Sequence, residues 1–152
     1  NDGLNNTLLI PYNSNDLNDG NAFDEYLLVM FYTPNGLYNG HLNTPYVPDN
    51  AGVVIYHVDA RMNTNNTYWG EYFRNNNSST SNFIVELLEA DFNASLPTTS
   101  SNGITQSDIL TSGSINLSSY RWNQGGAINV SIEIAQAFNN NSAQAVLNVI
   151  VS

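Results

Sequence analysis

The 152-residue chain is expected to fold as an all-β protein, an antiparallel β-sandwich with long polar loops. Three observations predict this. Short apolar runs alternate with polar stretches punctuated by Asn, Asp, Gly and Pro, the pattern of strands divided by turns. Near the end, Ile128, Val130, Ile132 and Ile134 alternate with Asn129, Ser131 and Glu133, the period-two pattern of a strand with one wet face. Helical periodicity is scarce, limited to a turn or two at Gln106 to Leu110 or Ser114 to Trp122. Two packed antiparallel sheets are the natural way to bury such strands.

Taken in order, the first apolar run is Leu8-Leu9-Ile10, closed by Pro11, and an Asn- and Asp-rich loop follows from Asn13 to Asn21. The segment from Glu25 to Tyr32 is apolar on both faces, so it reads as a central strand covered on both sides. Thr33-Pro34-Asn35-Gly36 supplies a turn. Gly52 to Val58 reads as a second central strand and Phe83 to Leu88 as a third. The polar stretch from Ser95 to Ser107 has no periodicity and reads as an exposed loop. At the end, Asn139-Asn140-Asn141-Ser142 turns the chain and Ala145 to Val151 returns it, giving an antiparallel hairpin. Residues 1–152 form a single β-rich domain, long enough to bury a core.

Charge narrows the function classes. Arg61, Arg74 and Arg121 are the only strong cations, there is no lysine, and the net charge is −10. Such a chain repels phosphate backbones and anionic membrane surfaces. No apolar run is long enough to span a membrane. With no cysteine, disulfides, thiol chemistry and Cys-ligated zinc are excluded. Cysteine-free chains with Asn-, Ser-, Thr- and Tyr-rich surfaces suit an extracellular, secreted or cell-surface setting. N-x-S/T sequons recur, for example at Asn65 and Asn116, and matter only where a compartment glycosylates. No basic, apolar signal segment opens the chain, so Asn1 is expected to be a processed or cut end.

Candidate chemistry is sparse. The only histidines are His41 and His57, and the zinc-peptidase motif H-E-x-x-H is absent. His57 and Asp59 lie two apart on a strand and so share a face, where a carboxylate can orient an imidazole. Val53 and Ile55 share that face, which favours a structural pair over a wet cleft. The loop carrying Asp16, Asn18, Asp19 and Asp24 is dense in the oxygen ligands that calcium takes, although its spacing is not that of an EF-hand. Its bland reading is a solvated turn. Tyr68, Trp69 and Tyr72 cluster beside a loop and, with Trp122, are candidate aromatics for stacking a sugar or anchoring a partner. No G-x-S-x-G elbow occurs. Glu86 and Glu89 fall on opposite faces of a strand, a poor arrangement for glycoside hydrolysis.

Three stretches together carry a resemblance. Ala22 to Val29 leads through Phe31-Tyr32-Thr33-Pro34-Asn35-Gly36-Leu37 to Gly52-Val53-Val54-Ile55-Tyr56-His57-Val58-Asp59-Ala60-Arg61. Val85 to Asp91 follows, with the pattern L-x-x-A-D, and then Asp108-Ile109-Leu110 with Gly113. In order and spacing these resemble the segments that follow the zinc-binding part of immune-inhibitor-A-like secreted metallopeptidases. Two departures stand out: Met30-Phe31-Tyr32 replaces the family's E-N-R, and H-E-x-x-H is missing. No catalytic residue therefore carries over, and His57 and Asp59 match the family signature in a structural role.

The resemblance implies a noncatalytic, post-catalytic β-rich region, a fragment of a larger secreted protein. Its partners would be the catalytic domain or other subunits, and zinc would belong only to the missing catalytic part. Two other function classes fit the residues: a structural or adhesive module of a cell surface or filament, and a carbohydrate-binding sandwich using Tyr68, Trp69 and Trp122. No nucleic acid and no membrane insertion are expected.

Overall fold

A computed structural model describes residues 7–14, 24–35, 48–62, 73–74, 82–90 and 104–152. The protein is all-β, with two antiparallel sheets. The first sheet has the order β1-β2-β3-β4, built from β1 (Thr7–Pro11), β2 (Glu25–Tyr32), β3 (Gly52–Asp59) and β4 (Val85–Leu87). The second has the order β5-β6-β7, from β5 (Ser114–Asn116), β6 (Val130–Gln136) and β7 (Val146–Val151). Single 3-10 turns at Gln106–Asp108 and Leu117–Ser119 are the only helical elements among the described residues.

The apolar pattern accounts for the strands. In β2 the alternate residues Leu27 and Val29 are buried, and in β3 every position but Tyr56 is buried. Both are central strands, as their apolar composition on both faces predicts. Their register pairs Leu27 with His57, Val29 with Ile55 and Phe31 with Val53. On the far side of β3, Leu88 N–H donates to the Ile55 carbonyl at 2.8 Å, and Val53 and Leu110 exchange bonds at 2.8 and 2.9 Å. The segment around Leu110 thus continues the edge where β4 stops.

Three elements differ from expectation. The third apolar run forms ladder pairs only over Val85–Leu87. Ile128 is fully buried but precedes β6, because its N–H goes to the Tyr120 carbonyl at 3.0 Å instead of to a partner strand. The stretch from Ser114 does not begin as a helix: Ile115 pairs with Ile132 in the sheet. Only then does the Asn116 side chain accept from Ser118 N–H at 2.9 Å and cap a single turn. The terminal hairpin forms as expected, with a register shift between Ile134 and Gln136. Residues 91–103, most of the expected polar loop, lie outside the described residues.

One core joins the two sheets. Ile10, Leu27, Val29, Val53, Ile55, Leu88 and Leu110 from the first meet Ile115, Leu117, Trp122, Ile128, Val130 and Ile132 from the second. Fully burying each such aliphatic side chain is worth about 1.5–3 kcal/mol. Among the described residues no helix is long and apolar enough to cross a membrane.

Candidate functional site

Period-two alternation carries charged residues onto the same inward face as the core. Glu25 shares parity with Leu27 and Val29, and His57 and Asp59 share it with Val53 and Ile55. All three are buried: Glu25 and Asp59 are 0% exposed and His57 is 2% exposed. Glu25 lies opposite Asp59 in the β2–β3 register, and His57 lies opposite Glu86 in the β3–β4 register. Facing carboxylates repel, and an unpaired buried charge is costly, so the site depends on its counter-charges.

Those counter-charges come from nearby chain. Arg61, two residues past Asp59, grips it bidentately, with Nε at 2.7 Å from Oδ1 and Nη2 at 2.7 Å from Oδ2. The same Nη2 lies 3.6 Å from Glu25 Oε2. His57 Nε2 is 2.8 Å from Glu25 Oε1, and Nδ1 is 3.6 Å from Glu86 Oε2. Burial alone lowers the His57 pKa, but hydrogen bonds and charge from Glu25 and Glu86 outweigh it and raise the pKa to about 9. Burial likewise pushes the Asp59 carboxyl up, yet the bonds from Arg61 and Asn123 hold it below its ordinary value. The hydrogen bond to Asp59 raises the Arg61 pKa in turn.

The second sheet closes the cluster from above. The chain between Arg121 and Ala127, which form an isolated bridge, is a tight turn. Gly125 and Gly126 occupy it at φ of 105° and 89°, a region open to glycine at little cost. Gly125 N–H donates to the Trp122 carbonyl at 3.0 Å and Trp122 N–H to the Gly126 carbonyl at 3.1 Å. This turn aims two successive backbone N–H groups at Glu25: that of Asn123 donates to Oε1 and that of Gln124 to Oε2 at 3.1 Å. The Asn123 side chain adds a bond to Asp59 Oδ2 at 2.9 Å. Trp122 packs edge-on against both His57 and Tyr12, with centroids 5.6 and 5.5 Å apart.

The arrangement fastens parts together. Both ring nitrogens of His57 face carboxylates, Nε2 bonded to Glu25 and Nδ1 directed at Glu86, and the raised pKa of about 9 favours the protonated ring at neutral pH. With 2% exposure it is also out of reach of a substrate. Trp122, a candidate binding aromatic by sequence, is a core residue at 9% exposure, with His57 and Tyr12 against its ring. Tyr68, Trp69 and Tyr72 lie outside the described residues, as do Asp16, Asn18 and Asp19. Of the candidate calcium loop only Asp24 is described, and its carbonyl accepts from Ala60 N–H at 3.0 Å. Among the described residues no group of three or more His, Asp or Glu is arranged to hold a metal ion. Glu25, Arg61 and Asn123 complete the cluster that sequence reading centred on His57 and Asp59. Comparisons of the chain with protein-family models, with curated proteins and with solved structures find no match.

Proposed function

We propose that the chain is a noncatalytic β-rich region of a secreted metallopeptidase-like protein, one that supports the catalytic part or holds it at a surface. One observation carries this reading. The charged residues of the resembling segments, Glu25, His57 and Asp59, are turned inward and engaged with one another and with Arg61 and Asn123. A signature used up in this way suits a scaffold, not a reaction centre. Two measurements test it. With zinc added, the chain is expected to leave casein intact, and the coding sequence upstream of Asn1 is expected to contain H-E-x-x-H. Robust casein cleavage that is lost in His57→Gln, or an upstream sequence without the motif, overturns it.

A second reading, a structural or adhesive module, is favoured by β7. It ends the order of the second sheet and leaves Ile150 and Val151 64% and 66% exposed. Such an edge can accept another strand. Light scattering at high protein concentration discriminates: a strict monomer counts against assembly.

A further inference from the structure

At the end of the sandwich opposite the charged cluster, side-chain amides join the two sheets. Asn140, in the β6–β7 turn, accepts from Ala51 N–H at 2.7 Å through Oδ1 and donates to the Asp49 carbonyl at 3.2 Å through Nδ2. Asn35, just beyond β2, donates to the Asn140 carbonyl and reaches Asn141 Oδ1 at 3.4 Å. Gln106 Oε1 accepts from Asn50 N–H at 2.9 Å. Between these braced walls lies a groove of about 530 Å³, whose lining includes Asn50, Gln106, Thr111, Phe138, Asn139 and Asn141.

We propose that this groove is a binding site for a neutral saccharide. Its size falls within the roughly 300–1,000 Å³ of small-molecule sites. Among the described residues no charged side chain lines it, and a chain of net charge −10 disfavours anionic ligands. Each primary amide offers two donors beside an acceptor, which matches the adjacent hydroxyls of a sugar ring. Phe138, held edge-on by Phe31 at 4.9 Å, supplies an apolar surface for a sugar's C–H face. Gln106, one of the lining residues, also carries a buried Nε2 with no hydrogen-bond partner among the described residues. Cross-bonded walls reduce the ordering cost of binding. Trp122 is not among the lining residues, and the site does not depend on the metallopeptidase reading.

The test titrates the ¹⁵N-labelled full chain with maltotriose, cellotriose, chitotriose and mannotriose. An acidic trisaccharide and a neutral peptide run in parallel. Saturable shifts are expected at the amides of Asn50, Gln106 and Asn139 with at least one neutral sugar, at a Kd of about 1 mM or tighter. Asn50→Ala and Thr111→Val replace exposed side chains, so the fold is retained. Each is expected to weaken binding about tenfold, the effect of losing one or two hydrogen bonds. The proposal is overturned by no saturable shift at about 10 mM sugar, well above that Kd. It is equally overturned by shifts that map elsewhere, by unchanged affinity in both variants, or by tighter binding of the acidic sugar or the peptide.

Discussion

The two ends of the sandwich solve the same problem with different chemistry. Each must tie the first sheet to the second beyond the edge of the shared core. At the Glu25–Asp59 end the tie is ionic and largely buried: Glu25, His57 and Asp59 are held away from water by Arg61, the 29%-exposed Glu86 and one turn. At the Tyr32–Gly52 end, about 25 Å away along an eight-residue strand, it is amide-built and wet, with a groove left open. Charges buried in this way are intolerant of change, because losing one strands its partners. Neutral amides at the surface are forgiving, because water replaces a lost bond. The difference assigns rigidity to one end and leaves the other free to meet a ligand.

The largest expected effect breaks the ionic end. Glu25→Ala leaves His57 without its nearest carboxylate and two backbone N–H groups without an acceptor. A loss of about 3–5 kcal/mol is expected in urea unfolding. A value under about 1 kcal/mol, the range of exposed pairs, would show the cluster to be ordinary surface chemistry.

Next comes pH. His57 is raised from 6.5 to about 9 in the folded state, so its contribution is complete below pH 6.5 and is lost as pH rises to about 9. That loss amounts to about 3 kcal/mol, and His57→Gln is expected to flatten stability across this window. Asp59, lowered on folding, acts oppositely: its contribution is present at neutral pH and is lost as pH falls through its folded value. Thermal unfolding of both proteins from pH 6 to 10 measures the first effect.

Smaller effects belong to the amide end. Gly52→Ala would set a methyl group 2.8 Å from Ile109 Cγ1, and this overpacking is expected to cost about 1–3 kcal/mol. Asn140→Ala removes two bonds between the sheets, yet solvent access limits the loss to about 1 kcal/mol. If Asn140→Ala proved as damaging as Glu25→Ala in the same urea titration, the contrast between the ends would fail.

Much of the framework was legible because alternation is a local signal. The span from Glu25 to Tyr32 and the last hairpin follow from the residues alone, and burial along β3 follows from its unbroken apolar run. Inward placement of His57 and Asp59 was legible for the same reason, through Val53 and Ile55. The same parity rule, applied to Glu25 with Leu27 and Val29, marks a carboxylate bound for the core. Its partners were not legible. Asn123 and Gln124 lie 98 and 99 residues from Glu25, and nothing local in their sequence distinguishes them from other turn amides. The burial of Trp122, a candidate binding aromatic by sequence, was not legible for a similar reason: it follows from packing between the two sheets. The groove was equally hidden, because its described lining comes from three stretches far apart in sequence, at 50–51, 106–111 and 138–141.

The Asn123–Gln124 turn has a kinetic consequence. Its bonds to Glu25 span nearly a hundred residues, so the loop they close is among the longest in the protein, and closing it yields nothing until both sheets stand. Contacts of that kind are expected to form after the rate-limiting step of folding, and their removal is then expected to accelerate unfolding while leaving folding speed almost unchanged. Asn123→Ala keeps the backbone bond to Glu25 but removes the side-chain bond to Asp59, 64 residues away, and should therefore steepen the loss of folded protein after a jump into denaturant, with refolding from denaturant at its native pace. On this expectation the turn governs how long the folded protein lasts, not how quickly it forms.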